Sequence, residues 1–146
     1  METFRGSYQA TVDDKGRLKL PARLKTQLEE WFGPRVFVTS LSPLELRVYP
    51  LTVWEELERR FLVRPSMDPL VQRLLEHANY GQEGELDAQG RVLIPSLLRD
   101  VLGVNGEVVV SGRGRFLAVV ARDRAQAELA SAFSAEDLAA LAALEQ

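Results

Sequence analysis

Residues 13–21 read Asp13-Asp14-Lys15-Gly16-Arg17-Leu18-Lys19-Leu20-Pro21, and residues 87–95 read Asp87-Ala88-Gln89-Gly90-Arg91-Val92-Leu93-Ile94-Pro95. Both follow the pattern D-x-x-G-R-aliphatic-x-aliphatic-P, and they stand 74 positions apart in a chain of 146 residues. A pattern that returns after half the chain marks an internal repeat, so the length describes two tandem units of about 73 residues rather than one undivided domain. Weaker matches follow downstream. Arg35-Val36-Phe37-Val38-Thr39 answers to Glu107-Val108-Val109-Val110-Ser111, and Leu46-Arg47-Val48-Tyr49 answers to Leu117-Ala118-Val119-Val120. The offset drifts from 74 to 72 to 71, as differences in loop length require.

Each unit has a readable local structure. Tyr8, Ala10 and Val12 alternate with Gln9 and Thr11, the period of a half-buried strand. The D-x-x-G segment then reads as a tight turn, because Asp caps backbone donors and Gly supplies positive φ without steric cost. Arg17 to Leu20 returns as a second strand. Proline cannot continue a central ladder but suits the first turn of a helix, so Pro21 to Glu30 and Pro95 to Leu102 read as short helices. Val36 to Val38 and Leu44 to Tyr49 form another strand pair. Thr52 and Glu55 fit a capping box, ahead of a helix that carries Trp54, Leu57 and Phe61 on one face. Leu70, Val71, Leu74, Leu75 and Ala78 make a second helical stripe, and Ser134 caps an Ala-rich helix through Leu138, Leu141 and Ala142. The expected organisation is a first unit at 1–62, a hinge and linking helix at 63–79 with the break itself at 63–69, a second unit at 80–124 and a helical tail at 125–146.

Composition narrows the chemistry. The chain is 46% hydrophobic and 27% charged with a net charge of −3, an ordinary globular profile without the broad positive field of a histone-like DNA coat. With no cysteine, disulfides, thiolate nucleophiles and Cys-type zinc sites are excluded. A single histidine argues against a multi-His metal centre or a conventional triad, so neither metal nor cofactor is expected, and no P-loop is present. No apolar run reaches the roughly 20 residues a spanning helix needs, and Met1 to Gly6 has no signal-like apolar stretch, so a cytoplasmic protein is expected.

The charge is unevenly spread. Residues 1–25 carry Arg5, Lys15, Arg17, Lys19, Arg23 and Lys25 against Glu2, Asp13 and Asp14, a local charge of +3, whereas residues 127–146 carry −4 with no basic residue. Binding to phosphate draws on a few clustered cations through counterion release, whatever the sign of the far side. The first repeated turn is therefore expected to carry more of the electrostatic attraction than the neutral second one.

The repeated turn, together with Phe4-Arg5-Gly6-Ser7-Tyr8, Leu20-Pro21-Ala22-Arg23 and Tyr49-Pro50-Leu51 before Trp54-Glu55, resembles the MraZ family, whose units belong to the AbrB-type swapped-hairpin class of DNA-binding proteins. The likeness runs from Phe4 to about Arg124. It implies an α+β, β-rich fold: two tandem AbrB-like units forming a pseudo-twofold swapped-hairpin β-barrel with flanking helices. It further implies a transcriptional regulator of the division and cell-wall gene cluster, acting mostly as a repressor and also on its own promoter. Such a protein would be a ring-like homo-oligomer that meets short direct repeats in double-stranded DNA and associates with the nucleoid. Carried onto this sequence, the DNA-facing set is Arg17 and Arg91 with Lys15, Gly16, Gly90, Gln89, Arg5 and Lys19. Arginine suits bidentate guanine or phosphate contacts, lysine acts as a point charge, and glycine lets the backbone approach.

Two other classes compete. One is an antitoxin-type protein-interaction module that uses the same body to hold a protein partner. The other is a small enzyme, for which the sequence offers no nucleophile with a base. For the turn itself the plain alternative is a hairpin kept for its geometry with a solvated arginine. Its recurrence with arginine in both copies favours function. Gly112-Arg113-Gly114-Arg115 reads as a hairpin loop, His77 as a helix-end residue, and the Trp54 and Phe61 stripe as packing.

Overall fold

The computed structural model describes residues 2–63 and 68–146; residues 64–67, inside the expected hinge, lie outside the described residues. In chain order the first half contains β1 (Ser7–Val12), β2 (Arg17–Lys19), α1 (Ala22–Phe32), β3 (Arg35–Ser42), β4 (Glu45–Pro50), α2 (Leu51–Leu62) and α3 (Pro69–Ala78). The second half repeats the series as β5 (Gln82–Glu85), β6 (Arg91–Leu93), α4 (Ser96–Leu102), β7 (Gly106–Arg113), β8 (Phe116–Ala121), α5 (Arg122–Ala130) and α6 (Ala135–Leu144).

The strands form one antiparallel sheet in the order β5-β3-β4-β8-β7-β1-β2-β6. Exchanging the two halves of the chain maps this order onto itself once the ring closes between β6 and β5, which abut. The result is a nearly closed eight-stranded barrel with internal twofold symmetry. Its halves are interleaved: β1 pairs with β7 from Ser7↔Ser111 to Val12↔Gly106, β5 pairs with β3 from Arg35↔Glu85 to Val38↔Gln82, and β2 pairs with β6. The expected swapped-hairpin barrel is thus the observed one. By contrast β1 and β2, consecutive in the chain, pair only at Val12↔Leu18. Each half therefore covers sheet edges that the other would leave open.

Strand periodicity fills the interior. Leu18, Val36, Val38, Leu46, Val48, Val92, Val108, Val110, Leu117 and Val119 are all buried at alternate positions and meet inside the barrel with Phe4, Leu24, Leu28 and Ile94. Full burial of an aliphatic side chain contributes roughly 1.5–3 kcal/mol, and both halves supply it to one core. A second cluster lies on the outer face of β3 and β4, where Trp54 of α2 stacks on Phe37 at 4.8 Å and tilts against Tyr49 at 5.1 Å. Packing is therefore the observed role of Trp54. Next to it, Thr39 Oγ1 donates to the Ala78 carbonyl at 2.7 Å and ties α3 to β3.

Three local expectations are corrected. Pro21 and Pro95 each sit at the N-cap with φ −54, so their helices begin one residue later than the prolines. The Thr52 and Glu55 capping box does not form, because α2 starts at Leu51 and no side chain caps it. The tail contains two helices, with α5 beginning at Arg122, inside the segment assigned to the second unit. The Ser134 cap is present as a reciprocal box with Asp137.

Candidate nucleic-acid interface

The two D-x-x-G-R turns share one backbone hydrogen-bond pattern. In the first, Asp13 Oδ1 accepts from the backbone N–H of Lys15 at 3.0 Å and of Arg17 at 2.8 Å, while the Gly16 N–H donates to the Asp13 carbonyl at 3.0 Å. In the second, Asp87 Oδ1 accepts from Gln89 and Arg91, both at 2.9 Å, and the Gly90 N–H donates to the Asp87 carbonyl at 3.0 Å. Gly16 and Gly90 have φ of +84° and +76°, the left-handed region that a Cβ disfavours. The aspartates are thus spent on the turn, which explains an acidic residue in a basic motif.

Because β2 and β6 pair in antiparallel register, the two turns flank one ribbon from its opposite ends. Leu20 N–H donates to the Gly90 carbonyl at 2.9 Å and Ile94 N–H to the Gly16 carbonyl at 2.8 Å, so each turn is bonded to the far end of the other unit's strand. Leu18 pairs with Val92, and both point into the barrel. Alternation then sends Arg17, Lys19, Arg91 and Leu93 to the opposite, solvent face of the two-stranded ribbon. Arg17 stands opposite Leu93 and Lys19 opposite Arg91, which leaves the two arginines on a diagonal about 7–8 Å apart. Lys15 and Gln89 are exposed on the turns beside them.

Each arginine is oriented by its own turn. Arg91 Nε donates to Asp87 Oδ2 at 2.8 Å, whereas Arg17 Nε lies 3.4 Å from Asp13 Oδ2 and makes no hydrogen bond. The terminal Nη1 and Nη2 groups lie outside these contacts, and the side chains are about one-third exposed. Arg17 is the more loosely held of the pair.

Sequence reasoning passed over two supporting residues. The Arg99 guanidinium lies against Gly16, where a Cβ would stand 2.6 Å from its Cζ, and the Lys25 stem lies against Gly90 in the same way. Lys25 and Arg99 are separated by 74 positions, the offset of the motif itself, and that was the available signal. Arg5 is elsewhere. It lies beyond the other end of β1, with its backbone against Gly112 and its guanidinium donating to Thr3 Oγ1 at 3.0 Å. Of the eight residues singled out from the sequence, the fold brings seven to the ribbon and its turns and leaves Arg5 apart.

The backbone N–H groups of Arg17 and Arg91, with their guanidinium groups, hold the Asp13 and Asp87 carboxyls below the ordinary carboxylate range. A carboxylate with a depressed folded pKa stabilises the native state at pH above its unfolded value, and that contribution is lost as the pH falls through the folded value. We expect thermal stability to decline as the pH drops below about 4, with part of the decline absent from an Asp13→Ala, Asp87→Ala variant. Melting curves taken down to about pH 2 check this; parallel profiles for the two proteins would refute it.

Comparisons with known proteins follow the same twofold plan. The chain matches the family described as "MraZ protein, putative antitoxin-like" twice, over residues 3–77 and 74–143. It is 44% identical over 137 residues to the protein named Transcriptional regulator MraZ from Koribacter versatilis, covering 92% of this chain and 93% of that one. It is 41% identical over 141 residues to its namesake from Acidobacterium capsulatum, covering 95% and 97% respectively. With two matched copies that together span nearly the whole length, and relatives this similar end to end, the chain belongs to the MraZ family.

Proposed function

We propose that this protein is a transcriptional regulator that binds double-stranded DNA through the β2/β6 ribbon and its two turns. The observation that carries the reading is the display of Arg17, Lys19 and Arg91 on one solvent face, with Lys15 and Gln89 on the flanking turns. A two-stranded ribbon fits the major groove, where an arginine fork reads guanine O6 and N7 while lysine and backbone amides meet phosphate. The curated relatives bear the name transcriptional regulator, which supports the class. The finer reading is a repressor of the division and cell-wall gene cluster and of its own promoter, working on the nucleoid in the cytoplasm.

One chain presents one ribbon. Useful selectivity then requires several subunits on successive short direct repeats, so the reading includes a ring-like homo-oligomer. No helix of the described residues is long and apolar enough to cross a membrane. A second reading, an antitoxin-type module that holds a protein partner, is favoured by the family's description as antitoxin-like.

Gel-shift titration on DNA upstream of the protein's own gene separates the two. We expect specific binding whose log affinity falls linearly with log salt, by about 0.9 for each phosphate contacted. Absence of binding at low salt would reject the DNA reading and favour the protein partner.

A further inference from the structure

The halves differ most at their ends. In the first half α2 covers the outer sheet face with Leu51, Val53 and Trp54; 71 positions later α5 offers Arg122, Arg124 and Ala125 and buries nothing. The closing helices differ in the same sense. Both α3 and α6 begin at a side-chain cap, Asp68 and Ser134, but α3 is fastened to β3 whereas every residue of α6 is exposed. Leu138, Leu141 and Leu144 recur every third residue, 55%, 42% and 81% exposed, with alanines around them. A stripe of this kind on a well-capped helix lacks a partner among the described residues.

A matching surface is open on the same molecule. Between α3, α4 and the β3–β4 turn, two cavities of about 470 and 340 Å³ join around Ser42, Pro43, His77 and Tyr80 to make one groove. Leu70, Leu97 and Val101 line it and are themselves largely exposed. Arg73 lines it too, with Glu76 three residues on along α3, and neither takes part in an ion pair among the described residues. The tail that carries α6 has a charge of −4 and no base.

We propose that α6 of a second copy of this chain seats in the groove between α3, α4 and the β3–β4 turn, with its acidic first turn towards Arg73. The proposal rests on the self-association put forward above and names the faces involved. Donor helix and acceptor groove are different surfaces of one chain, so the contact is head-to-tail, and a closed ring satisfies every helix and every groove. The chain's own groove is empty although its own α6 follows α5 after four residues, Ser131 to Ser134, which favours a second copy over the same one.

The absence of natural cysteine gives a clean test. Leu141→Cys and Val101→Cys chains, differently tagged, are mixed and treated with a short bismaleimide. We expect a covalent heterodimer in the mixture and far less product from either variant alone. Leu138→Glu with Leu141→Glu is expected to shift the sedimenting species to smaller size with an unchanged circular dichroism spectrum, since both side chains are exposed in the single chain. Cross-linking confined to one chain carrying both cysteines would overturn the proposal in favour of the chain's own tail. A wild-type oligomer that yields no cross-link would overturn these faces and leave self-association standing. A strict wild-type monomer at micromolar concentration would overturn both.

Discussion

Arg17→Ala is expected to lower specific DNA affinity by about 5- to 150-fold per engaged subunit, the consequence of losing roughly 1–3 kcal/mol of bidentate base contact. Several subunits acting together multiply the loss, so a ring on direct repeats should show near abolition of the specific band. Stability should hardly change, because the Arg17 to Asp13 pair is solvent-accessible at 3.4 Å and such pairs contribute about 0–1 kcal/mol. Arg91→Ala is expected to cost less. Its turn carries Gln89 where the first carries the cation Lys15, and Arg91 is already held by Asp87 through Nε. Arg17→Lys sharpens the assignment: charge without the fork should retain salt-dependent binding and lose discrimination between sequences. Gel shifts with specific and scrambled DNA settle the point. Unchanged binding in both alanine variants would remove these arginines from the interface.

The repeat was legible because D-x-x-G-R is short, rigid and chemically unusual, so divergence has left it intact in both copies. From it the two units and the turns could be placed, and the family resemblance it carries pointed to the seven residues that lie at the ribbon. Pairing was less accessible. A strand such as β5, Gln82-Glu83-Gly84-Glu85, has no apolar alternation and exists because β3 offers it a ladder, an interaction with no local signature. The register of β2 with β6 is likewise a fact about two distant segments. Local chemistry also misled at Thr52, where a capping sequence was present but Pro50, fixed at φ −54, had already set the helix start. Arg5 shares the basic stretch of residues 1–25 with Lys15 and Arg17, but the six residues of β1 carry it to the far end of the barrel.

The ribbon also makes adjacent residues separable by experiment. Leu18 is fully buried, faces Val92 across the β2/β6 ladder and packs in the core that both halves share. Leu18→Ala removes those contacts from a strand of only three residues, where the chain has little freedom to collapse into the cavity. The expected cost is about 2–5 kcal/mol, a melting temperature lower by roughly 4–20 °C. Lys19, the next residue, is exposed and opposite Arg91, so Lys19→Ala should alter stability by less than about 0.5 kcal/mol while weakening DNA binding and reducing the salt slope by about one phosphate contact. Well below its melting point Leu18→Ala should still bind specifically, since the outward face is untouched. The two neighbours thus report opposite faces of one strand, one by calorimetry and the other by titration. Equal melting temperatures for the two variants would show that the ribbon is not anchored through Leu18, and the rigid presentation of Arg17 and Arg91 would then need another support.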